Sequence, residues 1–205
     1  RPLIVLTNGG PQRAHSIVLN GKIITNKHFG SGTHLGADNY FAKTFIVNPM
    51  QFVLEQSKNE IPREAICWMD PDCKWTTPWD IMLNLVKEEA RDDSRHGSCG
   101  MGIWETICRY KFLPSLNLAD YLKLDEDQKK KYLISIRNYL TPDFLLCNPD
   151  ETTKESWFSE YLIQHFNQDI ELMMKRIKFC SSFDNLLKLY PNVIFENGQG
   201  LLLTD

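Results

Sequence analysis

Short apolar segments that end in glycine-rich loops lie near both ends of the chain, and this arrangement restricts the fold most. Residues 3–6 run into Thr7-Asn8-Gly9-Gly10, and residues 193–195 lead to Asn197-Gly198-Gln199-Gly200. A short apolar run that meets a tight turn is typical of a buried strand. Because helical patterns occupy the sequence between them, we predict an α/β fold with a mixed, largely parallel sheet, flanking helices and a helical insertion in the second half.

A β-hairpin is the clearest local prediction. Asn20-Gly21 separates the β-branched runs at residues 16–19 and 22–25, and an Asn-Gly pair in that position is the strongest short hairpin signal. We also predict strands over residues 44–47 and 65–69.

Helix signals fill much of the remaining sequence. Helices are predicted to begin at Pro49, at Thr77-Pro78 and at Asp125, the last ending at Thr141-Pro142. A long apolar pattern predicts a further helix over about residues 155–190. We interpret residues 1–205 as one partial domain, with a possible helical subdomain over about residues 115–190.

Composition excludes several classes of protein. Apolar residues make up 42% and charged residues 24% of the chain, as in ordinary soluble proteins. The net charge of −3 argues against binding polymeric nucleic acid, and no apolar run is long enough to suggest a membrane span. The six cysteines include no C-x-x-C pair, so we expect reduced thiols and a cytoplasmic protein. Because the chain starts at Arg1 and both termini are apolar, we expect an internal piece of a longer protein.

Three loops share a composition that suits an anionic ligand. They combine glycines with hydroxyl or amide side chains, and they cover residues 9–16, 96–102 and 197–200. Glycine lets backbone N–H groups approach a ligand closely, and such groups hold anions. Ligands of open α/β sheets bind at the carboxyl ends of strands, so we predict a phosphate-bearing small molecule there.

The same loops resemble the adenylosuccinate synthetase family, in the family's order. Gly9-Gly10, followed by Ala14-His15-Ser16 and the hairpin, resembles its double glycine and Asn-Ala-Gly-His-Thr segment. Gly97-Ser98-Cys99-Gly100-Met101-Gly102-Ile103 resembles its Gly-Thr-Thr-Gly-Arg-Gly-Ile loop. The most specific match is Phe195-Glu196-Asn197-Gly198-Gln199-Gly200, which resembles its Phe-Glu-Gly-Ala-Gln-Gly segment.

The resemblance implies a ligase that joins aspartate to inosine monophosphate or a related purine nucleotide in purine biosynthesis, with GTP as co-substrate, Mg²⁺ as cofactor and a homodimer as the assembly. His15 matches the family's catalytic histidine, an acid that stabilises the transferring phosphoryl group, and Gln199 matches a glutamine near the reacting centre. The backbone carbonyl of Ala14 matches a magnesium ligand. The implied substrate-binding residues are Gln12, Ser16, Ser98, Cys99, Gly100 and Arg109.

Departures from the family pattern leave the substrate and the activity open. The family's Gly-Asp-Glu-Gly-Lys-Gly loop, which carries its catalytic aspartate, is absent from this sequence. Arg13 replaces a small residue, Ala14 a glycine, Cys99 a threonine and Met101 an arginine. A non-catalytic nucleotide-binding or scaffold protein with the same fold is therefore the alternative hypothesis.

Simpler interpretations also stand beside the site residues. His15 could be an ordinary residue at a hairpin edge, and His28 and His34 fit loop positions better than a metal site. His96 near Cys99 could suggest a Cys–His nucleophile, but no third, orienting group is evident.

Overall fold

A computed structural model describes residues 1–59, 61–95 and 97–198 of the chain. It divides into two compact units, one made of Arg1–Lys74 with the chain from Asp169 onward, the other of Trp75–Gln168. The elements in chain order are β1 (Leu3–Leu6), β2 (His15–Leu19), β3 (Lys22–Asn26), β4 (Asp38–Phe41), β5 (Ile46–Val47), α1 (Pro49–Lys58), β6 (Cys67–Met69), β7 (Lys74–Trp75), α2 (Pro78–Ala90), α3 (Ile103–Phe112), α4 (Leu118–Tyr121), α5 (Glu126–Leu146), α6 (Glu151–Phe158), α7 (Glu160–Met174), β8 (Ile177–Phe179), α8 (Phe183–Leu187) and β9 (Val193–Glu196).

The first unit is built on a five-stranded sheet with the order β8-β6-β4-β1-β9. Every neighbouring pair in this sheet is parallel, and Leu3 in β1 is level with Asp38 on one side and Val193 on the other. β2 and β3 form a separate antiparallel hairpin around Asn20 and Gly21, both with positive φ. The predicted α/β fold, largely parallel sheet and hairpin are therefore confirmed.

One face of the sheet packs against the segment that precedes β9. Leu3 and Val5 lie with Tyr40, Leu186 and Tyr190 in one buried cluster. The hydroxyl of Tyr190 donates to Asp38 Oδ2 at 2.7 Å, and burial raises the pKa of Tyr190 to about 12. This hydrogen bond satisfies a carboxylate that β4 carries into the interior of the sheet.

The second unit is helical and contains a fully buried ion pair. Thr77 and Asp80 form a capping box at the start of α2, as the sequence predicts. Arg109 on α3 donates from Nη2 to Asp80 Oδ2 at 3.0 Å, and neither side chain is exposed to solvent. Farther along, the rings of Phe144 and Trp157 stack at 3.8 Å between centroids, joining α5 to α6.

Three predicted elements differ from those observed. The strand predicted over residues 44–47 is only the two-residue β5, and the central strand β4, which begins with Asp38 and Asn39, was not predicted. Both of those polar side chains are buried and hydrogen-bonded. Hydrogen bonds to the side-chain oxygens of both residues thus allow a strand that composition disfavours.

The predicted helix end at Thr141-Pro142 is also wrong, since α5 continues through Pro142 to Leu146. Proline removes a backbone donor there, but Thr141 Oγ1 donates to the carbonyl of Arg137 at 2.8 Å and accepts from Trp157 Nε1 at 3.0 Å. These side-chain bonds, with the stacking of Phe144, hold the helix across the break.

The single helix predicted over residues 155–190 is four elements: α6, α7, β8 and α8. Residues 177–179 pair in parallel with β6, so a position at the edge of the sheet overrides the local helical pattern. All six cysteines are free, as predicted. None of the helices within the described parts of the chain is long and apolar enough to cross a membrane.

Candidate functional site

The loops that follow β1 and β9 are hydrogen-bonded to each other at the carboxyl edge of the sheet. Thr7 Oγ1 donates to Asn197 Oδ1, and the backbone N–H of Gly198 donates to Asn8 Oδ1 at 3.1 Å. β1 and β9 are adjacent and parallel, so their carboxyl ends reach the same edge. Two of the three predicted loops are thus brought together at the position where such folds bind ligands.

The turn after β1 depends on Gly9. Its φ of +71° lies in the left-handed region, and a Cβ there would come within 2.5 Å of Gln12 Nε2. The carbonyl of Gly9 accepts from Ile46 N at 2.7 Å, which ties the turn to β5. The turn that leads to Gln12 and His15 is therefore fixed by the conformation of Gly9 and by its hydrogen bond to β5.

Arg13 connects the same loop to the segment after β3 and to the end of β9. Its side chain is almost fully buried, Nε donates to the carbonyl of Lys27 at 2.9 Å, and Nη2 donates to that of His28 at 3.2 Å. Nη1 pairs with Glu196 Oε1 at 3.1 Å, while Glu196 Oε2 accepts from Ser31 N at 2.8 Å. Burial lowers the pKa of Arg13 and Glu196 opposes that shift, so the guanidinium remains charged.

His15 is the first residue of β2 and lies opposite Asn26 in the hairpin. Its Nε2 atom is buried and has no hydrogen-bond partner among the described residues. Gln12, Ala14 and Ser16 are exposed, and Ser16 Oγ lies 2.8 Å from Thr25 Oγ1 across the hairpin. An unpartnered imidazole nitrogen beside exposed polar groups suits proton transfer to a ligand.

The segment after β3 is supported by a buried carboxylate. Glu55 on α1 accepts from the backbone N–H groups of Lys27, His28 and Phe29 at 2.9–3.0 Å. Although burial opposes it, the hydrogen bonds from these backbone amides lower the pKa of Glu55. His28 itself is fully buried and its Nε2 accepts from Asn48 N at 3.0 Å, so burial lowers its pKa and the ring is neutral. His28 therefore stabilises the loop rather than binding a metal.

The third predicted loop lies in the second unit and leads into α3. Gly97, Gly100 and Gly102 all have positive φ, and a Cβ on Gly102 would lie 2.7 Å from the backbone of Asp80. No side chain among the described residues caps the start of α3, which leaves its first backbone N–H groups without that kind of partner. Ser98 and Cys99 are exposed. The Ser98 amide donates to Glu88 Oε2 at 3.2 Å, a carboxylate that an incoming phosphate would have to displace.

The structure removes Arg109 from the set of ligand-binding residues. Its Nε and Nη2 atoms donate to Asp80, Nη2 also donates to the carbonyl of Trp75 at 2.7 Å, and Nη1 donates to Ser115 Oγ at 3.3 Å. With no exposed surface and its donors engaged, Arg109 is a structural residue. Gln199 and His96 lie outside the described residues.

A magnesium site cannot be assembled from the described residues alone. Among them, no group of three or more His, Cys, Asp and Glu side chains could hold a metal ion. Ala14 supplies a single backbone carbonyl, whereas Mg²⁺ in proteins is usually held by carboxylates together with substrate phosphates.

Sequence reasoning missed the residues that hold the loops in place. Arg13, Glu196, Asn8 and Asn197 make the contacts that join β1, β3 and β9 at this edge, and none was predicted as a site residue. A charged residue inside a glycine-rich loop was the available signal for Arg13. Its partner Glu196 is 183 residues away, so only the fold reveals the pair.

Comparison with known proteins gives a consistent result. No family model matches the chain. Adenylosuccinate synthetase from Psychrobacter arcticus is 24% identical over 202 residues, which are 95% of this chain and 45% of that protein. The enzyme of the same name from Trichodesmium erythraeum is 22% identical, over 98% of this chain and 46% of its own length. The chain thus spans about half the length of the curated relatives it matches.

Solved structures show the same fold. Fully ligated adenylosuccinate synthetase from Plasmodium falciparum matches with a TM-score of 0.67 at 13% identity, over 95% of this chain and 45% of that one. The succinoaminodeoxyadenylate synthetase of cyanophage S-2L, bound to dGMP and dATP as an energy donor, matches with a TM-score of 0.50 at 12% identity, over 95% and 42%.

The parallel sheet, with glycine-rich loops joined at its carboxyl edge, defines an α/β protein whose loops lie where open α/β folds bind their ligands. Within that class the chain is similar in sequence to adenylosuccinate synthetases and has their fold.

Proposed function

We propose that this chain supplies a nucleotide-binding part of a ligase that joins aspartate to inosine monophosphate or a related purine nucleotide at the expense of GTP. The observation that carries the proposal is the direct bonding of the Asn8 and Asn197 loops at the sheet edge. The Asn8 loop leads to His15, whose Nε2 has no partner among the described residues. The similarity to adenylosuccinate synthetases supports the type of reaction.

Each proposed residue has a chemical role in this reaction. His15 donates a proton to, and stabilises, the phosphoryl group that transfers to the purine 6-oxygen, and Gln199 contacts the nucleotide near that oxygen. Gln12 and Ser16 line the nucleotide pocket. Ser98, Cys99 and Gly100, together with the open start of α3, hold the nucleotide phosphate.

Nucleotide binding to the 205-residue protein tests the proposal directly. Inosine monophosphate is titrated by calorimetry, and the rate of Cys99 alkylation by iodoacetamide is followed by mass spectrometry, since Cys99 is exposed. We expect the nucleotide to bind and to slow alkylation of Cys99. His15→Ala should weaken binding about tenfold, equivalent to about 1.4 kcal/mol.

The matched control is His165→Ala, which removes an exposed histidine on α7. Equal affinities for the parent protein and for both variants would remove His15 from the site. Binding that leaves Cys99 fully reactive would separate the third loop from it.

A second candidate function is nucleotide binding without catalysis. The observation that favours it is the buried, structural use of Arg13 where the resembling family has a small residue. The two are distinguished by joining the chain to the segments that it lacks from a relative, including the Gly-Asp-Glu-Gly-Lys-Gly loop. The joined protein is incubated with inosine monophosphate, aspartate, GTP and Mg²⁺, and the succinyl nucleotide is sought by chromatography. Binding with no product in the presence of every substrate supports the non-catalytic function.

A further inference from the structure

A separate cleft lies between the β2–β3 hairpin and the end of α1 in the first unit. Its volume is about 350 Å³, at the small end of the range for ligand pockets. The residues that line it are Leu19, Lys22, Ile23, Ile24, Thr25, His34, Lys58, Asn59 and Pro62. None of these is a residue of the proposed nucleotide site.

Hydrogen bonds around the buried Asn26 hold the walls of the cleft together. Asn59 Nδ2 donates to the carbonyl of Thr25 at 2.8 Å and to Asn26 Oδ1 at 2.9 Å. His34 Nε2 lies 3.4 Å from the same Asn26 oxygen, and Asn26 has no exposed surface. The hairpin, the His34 turn and the end of α1 are thus tied to one side chain, so the cleft is preformed.

The lining is basic on one part and apolar on another. Among the described residues, Lys22 and Lys58 have no ion-pair or hydrogen-bond partner, and no acidic side chain lines the cleft. Leu19, Ile24 and Pro62 supply the apolar part. Two unpaired ammonium groups beside apolar side chains favour an organic anion over a bare ion or a neutral molecule.

We propose that this cleft binds a small organic anion, with a phosphate or carboxylate at Lys22 and Lys58 and an apolar body against Leu19, Ile24 and Pro62. The site is distinct from the nucleotide site and does not depend on the proposed ligase function.

Titration of the ¹⁵N-labelled protein with phenyl phosphate tests this. We expect saturable NMR shifts at the amides of residues 19–25, 34 and 58–59, in contrast to residues 9–16, whose amides report on the nucleotide site. Lys22→Met/Lys58→Met keeps the apolar stems and should weaken binding about tenfold. Methyl phosphate, which lacks the ring, should bind at least about fivefold more weakly than phenyl phosphate.

The control variant is Lys178→Met/Lys188→Met, which removes the same charge from exposed lysines outside the cleft. Equal weakening by both double variants would show general attraction of the anion and overturn the site. Absence of shifts at the cleft amides, or equal affinity for methyl and phenyl phosphate, would likewise overturn it. A change confined to residues 9–16 would concern the proposed function alone.

Discussion

Replacing Arg109 by Met should destabilise the helical unit severely. It leaves the residues of the three glycine-rich loops unchanged. The variant removes the guanidinium that donates to both oxygens of Asp80 and to the carbonyl of Trp75. Neither Asp80 nor Arg109 has exposed surface, so water cannot replace the lost partner. Removing one member of such a pair costs about 3–5 kcal/mol, because the other charge stays buried alone.

Asp80 retains some hydrogen bonds in this variant, which sets the lower part of that range. The backbone N–H of Thr77 donates to Asp80 Oδ2 at 2.7 Å and the Thr77 hydroxyl at 2.8 Å. Asp80→Asn/Arg109→Met removes both charges together. We therefore expect the double variant to lose less free energy of unfolding than the two single variants lose in sum, by about 2 kcal/mol or more.

Urea unfolding followed by tryptophan fluorescence measures the effect, since Trp75 and Trp79 are buried in this unit. A loss of about 3–5 kcal/mol corresponds to a midpoint lower by about 2 M urea at an ordinary slope. The reasoning is refuted if Arg109→Met costs less than about 1 kcal/mol, or if the losses from the single variants simply add.

Further variants test three other features that stabilise the structure: the buried Arg13, the close packing at Gly102 and the buried His28. Arg13→Met should lower the free energy of unfolding in urea by about 3 kcal/mol, and Arg13→Lys should lower it nearly as much, because an ammonium cannot reach two carbonyls and a carboxylate at once. An Arg13→Lys variant as stable as the parent protein would contradict this. Gly102→Ala should cost about 2 kcal/mol more than Gly36→Ala, since both have positive φ but only Gly102 is crowded by backbone; equal midpoints would refute the clash. His28 has a lowered pKa in the fold, so the unfolded chain takes up its proton first and stability falls as pH decreases below about 6.5. His28→Gln, which keeps an acceptor for Asn48 N, should flatten that decline by up to about 1.4 kcal/mol per pH unit, as measured by unfolding at several pH values; an unchanged slope would show that His28 is not its source.

The sequence identified features whose signals are local. The Asn20-Gly21 turn, the cap at Thr77 and the strands that end in glycine loops depend on neighbouring residues, and each is present in the structure. The fold class followed because such signals alternate along the chain.

Features that depend on distant partners were not predictable in this way. β4 begins with two polar residues. It becomes a central strand because the Tyr190 hydroxyl donates to the first of them and the Gly30 amide donates to the second. β8 is a strand because β6 offers an edge, and α5 passes Pro142 because Trp157 bonds to Thr141. The pair of Arg13 and Glu196 was missed for the same reason, because 183 residues separate them, whereas His15 was predicted from the family resemblance.

The pairing of β1 with β9 has a consequence for the order of assembly. Leu3 and Val193 are sheet neighbours, although nearly the whole described chain separates them. Closing so long a loop is slow compared with forming the helices between, so Thr7 and Asn8 acquire their partners only when the last strand docks. During synthesis the chain up to about residue 198 must therefore leave the ribosome before Thr7 and Asn8 can form these hydrogen bonds.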